Sequence, residues 1–315
     1  MRIGSDAVDA FRHLSRRQLL LGATGGVLLA ACGGNGEDDQ ASLTGSDADP
    51  DAETTSSTTP GEAGAAGGLV LLVPPEQPVG ADLRLPLGLA SADGSFDVDL
   101  PRSLDVRLRR PDGGTLAPVT VQRHGEDLPR GYFPLRTTFD EPGRWAIVAE
   151  TGTGQIETTV DARPASEVPA IPGRGDLLPN IPTPTLARPL GVDPICTNDP
   201  VCPFHRRSLD KVLGGGEPIV LIVSTPAFCQ VAICGPVLDV LIERERQLEA
   251  VGVAAIHAEV YVDDRARVTT PTVDALGLTF EPSLFFAAPD GTVNARLDSI
   301  FDGVEFDAAL ARLLP

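Results

Sequence analysis

Two cysteines five positions apart, Cys229 and Cys234, stand in the stretch PIVLIVSTPAFCQVAICGP, residues 218–236, where thiol chemistry is easiest to support. The run Ile219–Val223 is unbroken, apolar and rich in β-branched residues, the pattern of a strand buried on both faces. Ser224, Thr225 and Pro226 interrupt it. After Gly235 and Pro236, the apolar residues Val237, Leu238, Leu241 and Ile242 recur at helical spacing. Cys229 therefore falls just past a buried strand and at or near the start of a helix. The unpaired N–H groups and positive dipole end of a helix N-terminus stabilise a thiolate, and the thiolate is the nucleophile of disulfide exchange. The spacing imposes a condition. Within one regular helix, positions i and i+5 hold their Cα atoms roughly 8–9 Å apart, too far for a disulfide, so Cys229 must lie before the helix, or the helix must unwind, for the two sulfurs to meet. Cys229 has two readings, attacking nucleophile or half of a structural disulfide. Cys234 is correspondingly the resolving or the structural partner.

Cys196 and Cys202 bracket a short loop, CTNDPVC. In an oxidising compartment such a pair is expected as a structural disulfide; the other possibility is that it shuttles electrons from Cys229 and Cys234. Four cysteines allow three pairings, and spacing does not choose among them. His257 lies inside the apolar run Val253–Val260 and is expected as a hydrogen-bonded core histidine. His205 is expected at the surface near a helix start, and His124 in a solvated loop. No Ser/His/Asp set, phosphate loop or zinc-spaced cluster is visible, and no cofactor and no metal are expected.

These residues sit in a chain of 315, enough for two domains and tails, with a hydrophobic fraction of 42%. A formal charge of −19 and a pI near 4.5 argue against a nucleic-acid partner. Residues 33–68 combine Gly, Ser, Thr, Ala and eight acidic side chains with no aromatic residue. Such a composition cannot bury enough apolar surface to offset its ordering entropy, so an acidic tether is expected there. Residues 69–161 carry about seven short strand patterns separated by turns such as Pro111-Asp112-Gly113-Gly114 and Glu141-Pro142-Gly143, the mark of a β-sandwich. Trp145, the single tryptophan, is expected in its core. Residues 162–194 hold eight prolines, a semi-rigid linker able to wrap along a domain surface. Residues 195–315 alternate strand and helix, then give a hairpin and a closing amphipathic helix over Val304–Leu314. That is an α/β domain with a mixed central sheet.

Resemblances sharpen these expectations. Ser15-Arg16-Arg17-Gln18-Leu19-Leu20, then an apolar run, then Leu29-Ala30-Ala31-Cys32-Gly33, resembles a bacterial twin-arginine export signal ending in a lipobox over residues 1–32. The resemblance implies lipidation of Cys32 and a protein anchored to the cell membrane on its extracytoplasmic face. The Pro-Asp-Gly turn and the EPGRW strand start, residues 141–145, resemble immunoglobulin-like domains of bacterial exported proteins. The strand–Cys229–helix junction, the approach SLDKVLGGGEPIVLIVS and Pro282 in FEPSLFF resemble the thioredoxin-like superfamily over roughly 110 residues. That resemblance implies thiol–disulfide exchange on protein thiols or disulfides outside the cytoplasm, with Cys229 attacking, Cys234 resolving and Pro282 as a cis-proline that orients substrate backbone. The thioredoxin spacing has two residues between its cysteines; here there are four. TPAFCQVAICG is similar to the four-residue gap of Q-type peroxiredoxins, but two residues rather than one separate Pro226 from Cys229, and the peroxide-activating arginine has no counterpart. Copper chaperones of the same superfamily pair two cysteines with a distant histidine, a part that His257 could play beside Cys229 and Cys234, although those proteins place three residues between their cysteines. The remaining alternative is a non-catalytic binding or scaffold module with structural disulfides.

Overall fold

The computed structural model describes residues 67–96, 99–152 and 154–314; the export motif, Cys32 and nearly all of the acidic tether lie outside them. The first part is built from strands in two sheets. β1 (Gly68–Leu71), β3 (Gly80–Ala90) and β6 (Phe133–Phe139) form an antiparallel sheet in the order β1-β3-β6. β2 (Glu76–Pro78), β4 (Ser103–Arg109), β5 (Val119–Gln122), β7 (Gly143–Thr151) and β8 (Gly154–Arg163) form the other, in the order β2-β8-β7-β4-β5. Alternation explains the packing. Leu104, Val106 and Leu108 of β4 point inward while Asp105, Arg107 and Arg109 point out, and Leu85, Leu87, Trp145 and Ile147 meet them from the other strands. Trp145 is fully buried against Phe139, as expected for a core residue.

The second part is a four-stranded mixed sheet, order β10-β9-β11-β12, from β9 (Ile219–Val223), β10 (Ala254–Ala258), β11 (Ser283–Ala287) and β12 (Val293–Asp298). β9 and β10 are parallel; β9–β11 and β11–β12 are antiparallel. Every residue of β9 and β11 is buried, and successive residues feed opposite cores. Val220, Ile222, Leu284 and Phe286 face α2 (Cys234–Ile242), α3 (Glu245–Ala250) and α5 (Gly303–Leu313). Ile219, Leu221, Val223 and Phe285 face α1 (Leu209–Val212) and α4 (Pro271–Ala275). A continuous apolar run is what a strand covered on both faces needs. The amphipathic stretch after Cys234 is two helices rather than one, broken at Glu243–Arg244.

The proline-rich stretch does not merely link the two parts. It lies along the mixed sheet: Gly175 N–H donates to Val293 O, Leu178 N–H to Gly291 O and Asp193 N–H to Val262 O, and Leu178 is buried among the α1 and α4 residues. Chain without helix or interior strand still has to satisfy its backbone polar groups, and a sheet edge and its loops supply partners.

The described residues fall within a single compact unit, and the two parts join at the N-terminus of α5. In β6 and the turn before it, adjacent residues divide between cores: Phe133 enters the sandwich, while Tyr132 is buried among the α2 and α5 side chains. Arg84, on the outer face of β3, donates from Nε to Glu305 Oε1 at 2.8 Å and from Nη2 to Glu305 Oε2 at 2.5 Å, and caps Asp298 O and Ile300 O. Tyr132 OH donates to Glu305 Oε2 at 2.6 Å and accepts from Asp302 N–H at 2.9 Å. Asp302 caps α5 through Glu305 N–H. Gly125, at φ +83°, donates its N–H to Asp302 Oδ2, and a Cβ there would lie 2.8 Å from Arg130 O.

His124, expected in a solvated loop, is instead the sandwich's partner for Asp302, with Nδ1 2.9 Å from Oδ2. The contact joins residues 178 apart in sequence, beyond the reach of any local pattern. Burial alone pushes the Asp302 carboxyl up; hydrogen bonds from His124 and from the Glu305 and Gly125 N–H groups overcome it and hold the carboxyl at about 2. The hydrogen bond with Asp302 raises His124. The carboxylate's contribution is complete above its ordinary value near 4 and is lost as pH falls toward 2. The imidazolium's is complete below about 6.5 and is lost as pH rises through its raised value. The pair therefore contributes most between about pH 4 and 6.5. His124→Gln is expected to lower the melting temperature by about 2–4 °C in that window, corresponding to about 1 kcal/mol. The deficit shrinks at higher pH, which a melting series across pH measures.

Candidate functional site

Cys229 lies in the turn between β9 and α2, and α2 begins at Cys234. The condition set by the spacing is met: with Cys229 outside the helix, Cys234 N–H donates to Cys229 Sγ at 3.3 Å. Ala232 takes φ +53° inside the turn, and Ala232 N–H closes it onto Cys229 O. Both cysteines are free thiols, Cys229 partly exposed and Cys234 fully buried. Their acidities diverge accordingly. The Cys234 thiol hydrogen-bonds Cys229 and, with the N–H groups of Ile233, Cys234 and Val231, outweighs burial and lowers Cys229 to about 5. The same hydrogen bond and deep burial push Cys234 up. One sulfur is thus an accessible thiolate at neutral pH and the other a buried thiol.

Pro282 begins the approach to β11, which pairs with β9 so that Ser283 faces Val223. The Glu281–Pro282 peptide is cis, as the resemblance implied. Burial, then the Cys229 charge, raise the Glu281 carboxyl, so this segment borders the thiolate. Phe228 stacks edge-on against Tyr261 at 6.3 Å.

The sandwich reaches this turn. Arg130 Nη2 donates to Val231 O at 2.7 Å while its guanidinium lies 4.7 Å over the Phe96 ring. A cavity of about 450 Å³ opens there, walled by Val70, Leu72 and Phe96 on the sandwich side and by Val231, Ile233 and Glu281 on the other. No feature of the sequence placed Val70 or Arg130 beside the turn at Gln230–Ile233; the cleft exists only because the two parts pack together.

The second cysteine pair departs from expectation. Cys196 and Cys202 are free thiols, not a disulfide. Their sulfurs lie 3.8 and 3.3 Å from His257 Nδ1. His257 therefore faces these cysteines rather than Cys229 and Cys234, and the copper-chaperone trio is not assembled. His205, expected at the surface, is 1% exposed, with Nε2 3.1 Å from His257 Nδ1. The reason is its loop: Phe204 O accepts the N–H of His257, drawing Cys202-Pro203-Phe204-His205 onto β10. Where no metal was expected, four donor groups converge in the interior. The hydrogen bond with Cys202 chiefly lowers Cys196, with further help from His205 and His257, while Cys202 is raised. The order C-x5-C-x2-H over residues 196–205 was the available sequence signal; His257, contributed by a strand 52 residues further on, was not.

No protein-family model matches the chain, and no curated protein matches it. Among solved structures, it is similar to the Lin-41 filamin domain at 17% identity and TM-score 0.24, over 32% of this chain and 98% of that one. It is similar to Salmonella alpha-2-macroglobulin at 17% identity and TM-score 0.25, over 36% of this chain and 8% of that one. It is similar to the PKD domain of the human VPS10 domain-containing receptor SorCS2 at 16% identity and TM-score 0.20, over 41% of this chain and all of that domain. At these scores the likenesses fix neither the fold nor the function of this chain.

Proposed function

We propose that the protein is a thiol–disulfide oxidoreductase of the thioredoxin-like type, anchored through lipidated Cys32 outside the cytoplasm, with an immunoglobulin-like sandwich as its second part. The observation that carries the proposal is the asymmetric pair: a partly exposed Cys229 thiolate receiving the Cys234 N–H, beside a buried Cys234 thiol. Reactive cysteines sit in such partly exposed microenvironments, at helix N-termini. The strand order β10-β9-β11-β12, with the cysteine after the central parallel strand and cis-Pro282 before the antiparallel one, supports the fold assignment.

The exchange follows from the pair. The Cys229 thiolate attacks one sulfur of a partner disulfide, forming a mixed disulfide and releasing the partner's other sulfur as a thiolate. Cys234 gives up its proton and attacks the Cys229 sulfur. The partner leaves with two thiols and the protein keeps the Cys229–Cys234 disulfide. Run backwards, the same steps oxidise a dithiol partner. The apolar cleft beside the turn suits an extended protein segment, and Glu281, the residue before cis-Pro282, borders it. The chain's −19 charge disfavours nucleic acid as a partner.

A redox titration of the chain, read by thiol trapping and mass spectrometry, tests this. A Cys229–Cys234 disulfide that titrates between about −120 and −270 mV supports exchange. A pair that stays oxidised below about −300 mV, or never forms, overturns it and leaves a non-catalytic binding module.

A further inference from the structure

We propose that Cys196, Cys202, His205 and His257 bind one divalent metal ion with the coordination chemistry of structural zinc, and that this ion, rather than a disulfide, fastens the loop at 196–205 to β10. The site is distinct from the Cys229–Cys234 pair and does not depend on it.

Geometry makes the first argument. Each residue offers one donor atom, and the four atoms lie within 4.8 Å of one another. The distances from His257 Nδ1 are 3.8 Å to Cys196 Sγ, 3.3 Å to Cys202 Sγ and 3.1 Å to His205 Nε2. A tetrahedral ion with bonds of about 2.3 Å to sulfur and 2.0–2.1 Å to nitrogen holds its donors about 3.3–3.8 Å apart. The three edges that meet at His257 Nδ1 match that tetrahedron to within a few tenths of an ångström, and the other three are no longer than 4.8 Å.

Hydrogen-bond accounting makes the second. His257 Nε2 lies 3.0 Å from Ser224 Oγ and 3.2 Å from Ser224 O. A carbonyl only accepts, so Nε2 carries the proton, and when the ring is neutral its Nδ1 lone pair points into the cluster. A hydrogen bond from the outer nitrogen to a carbonyl is the usual second-shell arrangement of a metal-bound histidine. Three groups crowd that single lone pair, which one hydrogen bond would satisfy. His205 Nδ1 has no hydrogen-bond partner, so Nε2 is the only engaged polar atom of that ring. A cation at the centre engages all four lone pairs at once.

Burial and charge select the ion. The four residues are 0–5% exposed. Charge at that depth has to be neutralised. Two thiolates with a divalent ion sum to zero, whereas copper(I) leaves one buried negative charge. Two sulfurs and two imidazoles fill a tetrahedral zinc site and leave no open position, the mark of a structural rather than a catalytic ion. Loading takes the ion from solution and binds both sulfurs as thiolates, releasing the protons that the two thiols still carry. The anchored loop supports the neighbouring turn: Thr197 donates from N–H and Oγ1 to buried Glu259 Oε1, and its Oγ1 accepts Ala227 N–H, two residues before Cys229.

The test uses the full chain under anaerobic reducing conditions, with zinc content by mass spectrometry and cobalt(II) as a spectroscopic substitute. The expected result is one ion per chain, tetrahedral cobalt bands with thiolate-to-cobalt charge transfer, and a lower melting temperature after chelation. Cys202→Ser and His257→Asn are expected to lose the ion, and Cys229→Ser and Cys234→Ser to retain it. The wild-type cobalt spectrum decides the question even where a ligand variant fails to fold. Absence of stoichiometric zinc and of the cobalt spectrum in the reduced wild-type chain overturns the proposal. So does a native chain that carries a Cys196–Cys202 disulfide and no metal, or a cobalt signal that disappears with Cys229→Ser.

Discussion

Cys229→Ser is expected to abolish disulfide exchange, while Cys234→Ser is expected to complete the first step and stall as a stable mixed disulfide. The difference follows from position. Cys229 is the accessible sulfur and the one ionised at neutral pH; Cys234 is buried, held protonated, and hydrogen-bonded to Cys229. Alkylation of Cys229 is expected to follow a titration centred near pH 5. The magnitude also says which half-reaction benefits. At pH 7 a thiol of about 5 is almost wholly ionised, against about 3% for an ordinary thiol near 8.5, a gain of about 30-fold. Nucleophilicity falls with pKa at a Brønsted slope of about 0.4–0.5, so over about 3.5 units it drops by a similar factor. Attack gains little, but departure of Cys229 from a mixed disulfide gains much. The pair is therefore expected near the oxidising end of the range, closer to about −120 than to −270 mV. Non-reducing electrophoresis of Cys234→Ser with a disulfide-bonded protein shows the trapped adduct. Equal exchange rates for wild type and Cys229→Ser would falsify the assignment.

Arg84→Met is expected to be the most destabilising single change at the junction, by about 3–5 kcal/mol, because it leaves Glu305 buried without its cation. The Arg84 side chain is 4% exposed and that of Glu305 10%, and the bidentate contact is the guanidinium's main compensation for burial. Arg84 also supplies the Asp298 and Ile300 carbonyls. For a folded unit of this size the change amounts to a drop of about 10 °C in melting temperature. The double variant Arg84→Met/Glu305→Leu is expected to recover part of the loss, since replacing both members of a buried pair by apolar groups costs far less than removing one. Thermal melts of the three chains measure this coupling. A loss under about 1 kcal/mol in Arg84→Met, the value of an exposed ion pair, would show that the junction opens readily in solution.

How much of this was written in the chain differs from element to element. Ile219–Val223 declared itself a doubly covered strand because burial on both faces demands an unbroken apolar run. Cys229 was legible as a thiol at a strand–helix junction because turn residues and helical spacing act over a few positions. Leu104 to Arg109 announced a half-buried strand by simple alternation. The closing helix was legible by its amphipathic spacing, but its cap at Asp302 and the turn of the Glu305 side chain to Arg84 and Tyr132 were not.

Partner choice was not legible, because it is decided by packing between segments that are distant in sequence. His257 was readable as a core histidine, but the folding of the 196–205 loop onto β10 determined that it would face Cys196, Cys202 and His205. His124 and Asp302, like Val70 and Val231 across the cleft, are neighbours only because Tyr132 inserts into the α/β core and locks the sandwich against it. Local propensity and periodicity specify which face of an element is apolar; they do not specify which other element will cover it. The sequence by itself determined the strands, the turn and the place of Cys229 between them. The tertiary structure alone decided the four-residue donor cluster, the cleft wall and the buried ion pair, since each requires groups from separate segments to share one low-dielectric space.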